Sequence, residues 1–213
     1  MNNIVDIEIY KYPCVILTDV HTKISNVQKL LNIYSDHQFI CLGDVTDLFN
    51  FNENDANQKS IEFFTELKIP CLLGNHEQQL LSCETGNHLL STKFDEASIL
   101  SNNVDYGLTQ QHLDFLRSLP RGFKLKLPNK RNYYCYHNRT TCLWSFTEPP
   151  VSKELFIENY NFDSDTNGVL IGHSHKNFTV DFTDISCKLH GIGALKFGDY
   201  ALLTETGIEY KNL

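Results

Sequence analysis

The sequence predicts an α/β fold, and three observations carry that prediction. Short apolar runs recur at Cys14-Val15-Ile16-Leu17, Phe39-Ile40-Cys41-Leu42 and Ile69-Pro70-Cys71-Leu72-Leu73. The stretches between them place apolar residues at helical spacing. After Pro120 the pattern changes to strand-like segments, beginning with Phe123–Leu127, and those from Phe178 on are joined by Gly, Asp and Thr turns.

In chain order, Ile4 to Tyr10 reads as an edge strand and Cys14–Leu17 as a buried one. Ile24, Val27, Leu30, Leu31 and Tyr34 then fall on one face of a helix. Phe39–Leu42 is the next strand. Residues Phe51 to Asn57 are rich in Asn and Asp and read as a loop. Lys59 to Lys68 reads as a helix with Ile61, Phe64 and Leu67 facing inward, and Ile69–Leu73 as a third strand. Strand, helix, strand, helix, strand predicts a parallel sheet with right-handed crossovers.

Gln78 to Asn103 has weak periodicity, and a helical insert over about 78–120 is expected to lie above the site. Thr109 is placed to cap a helix through Ser118, stopped by Pro120. Phe123–Leu127 and Tyr133–Tyr136 read as strands, Ser152 to Tyr160 as a capped helix, and Val169–Ile171 as a strand. Phe178–Phe182, Lys188–Ile192, Tyr200–Thr204 and Ile208–Tyr210 complete the strands.

With 213 residues and no linker or repeat, one domain over residues 1–213 is expected. No apolar stretch is long enough to span a bilayer, and the start of the chain carries acid and no basic segment, against a signal peptide. The net charge of −8 argues against an extended nucleic-acid surface. It does not argue against a phosphate substrate, because bound divalent cations reverse the local field. Seven cysteines without a C-x-x-C pair, four of them inside predicted strands, read as buried thiols in a reducing, cytoplasmic setting. Oligomeric state is not legible.

Five polar motifs each follow an apolar run: Asp19-x-His21, Gly43-Asp44-x-x-Asp47, Gly74-Asn75-His76-Glu77, His137 with Asn138, and Gly172-His173-Ser174-His175. Any one of them alone is an ordinary turn or a core histidine. Five in this order are not, because carboxylate, imidazole and amide oxygen together suit Mn, Fe, Zn or Co. Asp44, at a strand's C-terminal edge, is expected to bridge two ions. Strand alternation is expected to aim Asp19 and His21 at one ion together, and His173 and His175 likewise. Glycine before Asp44, Asn75 and His173 is expected to let the backbone turn sharply.

In that order the motifs resemble the calcineurin-like metallophosphoesterase superfamily, over about Val15 to Gly193. The resemblance implies a four-layer αββα sandwich of two mixed sheets feeding one binuclear site. It implies a first ion held by Asp19, His21, Asp44 and His175, and a second by Asp44, Asn75, His137 and His173, with manganese the leading choice. His76 would protonate the leaving oxygen, with Asp47 fixing its tautomer and raising its pKa.

The implied reaction is attack of a metal-bridging hydroxide on a small phosphomonoester, phosphodiester or nucleotide. The protein phosphatases of the superfamily continue the second motif as D-R-G, whereas here Leu48 follows Asp47. Arg139, with Asn75, is the substitute phosphate clamp, and Arg117 and Arg121 are weaker choices. A protein phosphatase, or a non-catalytic scaffold of the same fold, is the alternative reading. Tyr133, Tyr134, Tyr136 and Trp144 are core aromatics or base-stacking groups.

Overall fold

All four residues of the run Cys14–Leu17 are buried. The strand therefore has no solvent face, and its side chains divide between two cores. The computed structural model describes residues 3–48, 55–84, 107–137, 153–160, 162–182 and 184–213. Within them the order is β1 (Ile4–Glu8), β2 (Cys14–Leu17), α1 (Ile24–Ile33), β3 (Phe39–Cys41), α2 (Ala56–Leu67), α3 (Asn75–Glu84) and α4 (Gln110–Ser118). There follow β4 (Gly122–Lys126), β5 (Asn132–Tyr136), α5 (Lys153–Asn159), β6 (Thr166–Ile171), β7 (Phe178–Phe182) and β8 (Cys187–Gly191). A 3-10 turn (Leu195–Phe197) then leads into β9 (Asp199–Thr204) and β10 (Gly207–Asn212).

The strands form two mixed sheets, one in the order β1-β4-β5-β6-β8-β7 and one in the order β10-β9-β2-β3. Ile16, Ile40, Cys135, Leu170, Ala201 and Leu203 meet in the space between the sheets. Their neighbours Val15, Leu17, Phe39, Cys41 and Leu202 point the other way, onto Val27 and Leu30 of α1 and Phe64 of α2. On the far side Val169, Ile171 and Leu189 turn outward onto Phe156 and Tyr160. The layers therefore run helix, sheet, sheet, helix.

β2 pairs parallel with β3, and β5 parallel with β6. The C-terminal ends of both pairs open toward one region, which is where α/β sheets build sites. β1 is an edge strand, as its pattern indicates. No helix among the described residues is long and apolar enough to cross a membrane.

Three sequence expectations shift. Among the described residues, Ile69–Leu73 makes only one parallel bridge, Cys41 to Cys71. Pro70 has no N–H to donate, so it contributes only its carbonyl, to Cys41 N at 2.9 Å. α2 begins at Ala56, inside the expected loop. Asn57 is satisfied there by tertiary partners, since its side chain accepts from Asp47 N at 2.8 Å and donates to Asp47 O at 3.0 Å. Leu67 faces outward at 41% exposure, while Ile61 and Phe64 are buried.

Thr109 does cap α4, in a capping box closed by His112. Of the expected insert over 78–120, residues 85–106 lie outside the described residues, as does Ser152. The flanking helices α3 and α4 join α2 through a small core of Leu48, Ile61, Leu80 and Leu116.

The orientation of α2 is testable. Phe64→Ala is expected to cost about 3–5 kcal/mol and Leu67→Ala less than about 1 kcal/mol in urea denaturation. Similar losses at both positions would mean that Leu67 faces the core.

Candidate metal centre

Beyond β2 and β3 the two segments stay zipped together by backbone hydrogen bonds after the strands end. Asp19 N donates to Gly43 O at 3.0 Å, His21 N to Asp44 O at 3.0 Å, and Thr22 N to Val45 O at 3.1 Å. This pairing is bought with strained backbone. Asp19, His21, Thr22 and Asp44 all take positive φ, at 51°, 45°, 62° and 54°. His173 and His175 do the same at 66° and 57°. Such torsions are uncommon for residues with a Cβ and gather at functional sites. Strand alternation is therefore not what aims Asp19 and His21, because both lie past the end of β2 in left-handed turns. His173 and His175 likewise lie past β6.

The glycines play two different roles. Gly43 has φ of 107° and supplies a turn that a side chain would strain. Gly74 has no such torsion; a Cβ there would sit 2.5 Å from the Asp44 amide nitrogen and 2.7 Å from Glu77 Oε2. It is needed for close approach and not for turning.

These turns bring the expected metal ligands into two donor groups, Asp19 with His21 and His175, and Asp44 with His137 and His173, and a third grouping sets His21 with Asp47 and His76. His173 and His175 thus part company, one to each group. In the first, His175 Nε2 lies 3.0 Å and His21 Nε2 3.7 Å from Asp19 Oδ1, and the two Nε2 atoms are 3.2 Å apart. Asp19 Oδ1 is buried and accepts no hydrogen bond among the described residues. In the second, the Asn75 amide oxygen faces both His137 Nε2 at 2.9 Å and His173 Nδ1 at 2.7 Å, and Asp44 Oδ2 is 3.1 Å from His137 Nε2. Asp19 links the groups, since its Oδ2 accepts from His173 N at 2.8 Å and from Thr18 Oγ1 at 2.7 Å.

This donor set fits divalent cations. A buried carboxylate oxygen, Asp19 Oδ1, faces the Nε2 atoms of His175 and His21 at 3.0 and 3.7 Å, and those two nitrogens stand only 3.2 Å apart. His137 donates Nδ1–H to the Leu42 carbonyl at 2.9 Å, which leaves Nε2 aimed into the centre. The electrostatics agree. Burial alone would push both carboxyls up, yet His175 and His21 hold Asp19, and His137 and His76 hold Asp44, well below the usual carboxylate range.

His76 stands between the groups, its ring 4.5 Å from that of His21 and its Nε2 3.9 Å from Asp44 Oδ2. Its Nδ1 accepts from the Leu48 backbone N–H at 3.2 Å, while Asp47 Oδ1 is 3.9 Å away. The ring proton therefore sits on Nε2. Burial outweighs the pull of Asp44 and Asp47, and the His76 pKa falls to about 4, against the rise expected from Asp47 alone.

The calcineurin-like phosphoesterase family model matches residues 12–202. The chain belongs to this family. As a calcineurin-like phosphoesterase it is a metal-dependent phosphoester hydrolase. Solved structures share the fold at low identity. A hypothetical protein from Pyrococcus horikoshii superposes with a TM-score of 0.68 at 12% identity, covering 94% of this chain and 87% of the other. A metallophosphoesterase from Sphaerobacter thermophilus gives 0.55 at 16% identity over 94% and 87%. A protein described as a candidate diadenosine tetraphosphatase gives 0.57 at 14% identity over 100% and 98%. No curated protein matches the sequence.

The residue that motif reading passed over in this phosphoesterase is Glu77. It is fully buried, and its carboxylate accepts from Asp44 N at 3.0 Å, Gly74 N at 2.9 Å, Thr46 N at 2.9 Å and Thr46 Oγ1 at 2.7 Å. Its position inside Gly74-Asn75-His76-Glu77 was the available signal. Of the phosphate-clamp choices, Arg139 lies outside the described residues. Arg117 pairs with Asp114 on α4 at 3.1 Å, and Arg121 donates to Gln78 of α3 at 3.3 Å.

Glu77→Ala would strand three buried backbone donors. It is expected to cost about 4 kcal/mol in denaturant unfolding, given roughly 1–3 kcal/mol for each unsatisfied group. A loss below about 1 kcal/mol would show that water replaces the carboxylate.

Proposed function

We propose that the chain is a cytoplasmic, single-domain binuclear phosphoesterase that hydrolyses a small phosphomonoester, phosphodiester or nucleotide. The observation that carries this reading is the pair of donor groups joined through Asp19 and flanked by His76. Asp19, His21, Asp44 and His175 would hold one ion, and Asp44, Asn75, His137 and His173 the other, with manganese the first choice. Bound divalent ions supply an acidified water as nucleophile and neutralise the phosphoryl oxygens. The buried thiols of Cys14, Cys41, Cys71, Cys135 and Cys187 support a reducing compartment.

The protein's own groups do the rest. The His137–Leu42 hydrogen bond orients the ring, and Glu77 holds the Asp44 turn. With a pKa near 4, His76 is neutral at pH 7 and presents Nε2–H toward the centre. It offers that N–H as a hydrogen bond to the leaving oxygen, stabilising the charge that develops there while keeping its proton, and the departing oxygen takes its proton from solvent. Arg139 is the proposed phosphate clamp, with Asn75 beside it.

The protein-phosphatase alternative is weakened by Leu48. Its side chain is 4% exposed and packs against Ile61, Leu80 and Leu116, where a clamping arginine would need to reach solvent. The scaffold alternative is weakened by the complete donor set.

Metal titration tests the reading. Two ions per chain are expected, with hydrolysis of p-nitrophenyl phosphate or its bis-ester; a folded, loaded protein inert toward every such ester would overturn it. Burial would lower the His137 pKa, but Asp44 and its neighbours push it up to about 10 in the metal-free protein. A metal must displace that proton, so metal affinity rises as pH rises. The dissociation constant should fall about tenfold per pH unit between 6.5 and 8.5, read by chelator competition.

His76→Ala is expected to slow alkyl esters about a hundredfold and nitrophenyl esters roughly tenfold less, because a nitrophenolate needs little help in leaving. Equal losses would remove His76 from the leaving-oxygen role.

A further inference from the structure

Phe197 is an aromatic side chain left 66% exposed beside a buried centre. Its ring centroid lies 6.0 Å from that of His175, at an interplanar angle of 73°. The Lys196 ammonium lies 5.1 Å from the same ring.

The segment that carries Phe197 is firmly anchored. Leu195 N donates to Thr18 O at 2.9 Å and Lys196 N to Asp19 O at 3.2 Å, so the 3-10 turn is fastened to the turn that presents Asp19. Asn26 of α1 donates to Leu195 O at 2.9 Å. Gly198, at φ of 96°, closes the turn with its N–H on Leu195 O at 2.9 Å. A scattered exposed apolar residue needs no explanation. This one sits on a turn that two backbone hydrogen bonds and the Asn26 side chain fasten to the rim of the site, with a positive charge beside it.

We infer that Phe197 is a stacking platform for a planar aromatic ring carried by the phosphate ester, which names the substrate class as aryl or nucleoside esters. The inference rests on the phosphoesterase reading above. An ester whose phosphate occupies the centre must extend its organic part past the rim. A planar group laid on the Phe197 ring removes both apolar faces from water, and the Lys196 ammonium suits a ligand that also carries negative charge. Stacking of this kind tolerates any base or aryl ring, because each offers a π face.

The test compares wild type, Phe197→Ala and Phe197→Trp, loaded with manganese, on three monoesters. Phenyl phosphate carries its ring next to the phosphate, adenosine 5′-monophosphate carries it one ribose away, and ribose 5-phosphate has no aromatic ring. Phe197→Ala is expected to raise the KM of a ring-bearing ester about tenfold relative to that of ribose 5-phosphate, and Phe197→Trp to keep the preference. Which ring-bearing ester responds tells an aryl from a nucleoside source.

Binding without turnover gives a second readout. The Kd of phenylphosphonate against methylphosphonate, by calorimetry, should lose its ring preference in Phe197→Ala. An unchanged preference in both readouts, or an equal change for ring-bearing and ringless ligands, overturns the inference. If wild type hydrolyses no phosphate ester at all, it is the phosphoesterase reading that falls.

Discussion

The Glu77 carboxylate is the interaction on which the centre depends. One buried anion collects the backbone N–H groups of Gly74, Asp44 and Thr46, together with the Thr46 hydroxyl. Those donors belong to two different loops, one after β3 and one at the start of α3. Without a common acceptor each would be a buried, unsatisfied donor at the bottom of a cleft. Burial raises the Glu77 pKa and Asp44 raises it further, so the hydrogen bonds from Thr46 are what favour the ionised form. Asp44 is thereby fixed from both sides, since its Oδ1 also accepts from His76 N at 3.0 Å. The same contact demands glycine at position 74, because no Cβ fits between Asp44 and Glu77.

Around that point the two sheets act as a rigid frame. Strands buried on both faces leave no freedom of register, because a slip of one residue would exchange the inter-sheet core with the helix-facing core. The parallel pairs β2–β3 and β5–β6 therefore end at defined heights, and the turns beyond them converge. The backbone strain in those turns is confined to residues that contribute, or adjoin, donor groups. The frame and the strained turns together hold the candidate metal ligands in place.

Much of this was legible in the residues. Apolar runs and helical spacing located nearly every described element, and the order of the five polar motifs pointed to the family that the comparison then identified. The failures have physical causes. The Asn- and Asp-rich start of α2 looks like a loop because local propensity does not register that Asn57 will be bonded to the Asp47 backbone. Leu67 sits at helical spacing but beyond the edge of the core. The pKa of His76 was read from its charged neighbour alone, whereas burial dominates, and a sequence carries no direct measure of burial.

What the sequence determined by itself is the α/β class, the succession of elements, and which residue types stand at the strand ends. Those depend on periodicity and on neighbours a few positions away. What only the tertiary structure decided is the partition of the donors into two groups, the left-handed turns that aim them, the proton position on His76, and the placing of Phe197 against His175. Each of these joins residues from elements far apart in the chain, and distances across a fold are set by packing, which no local pattern records.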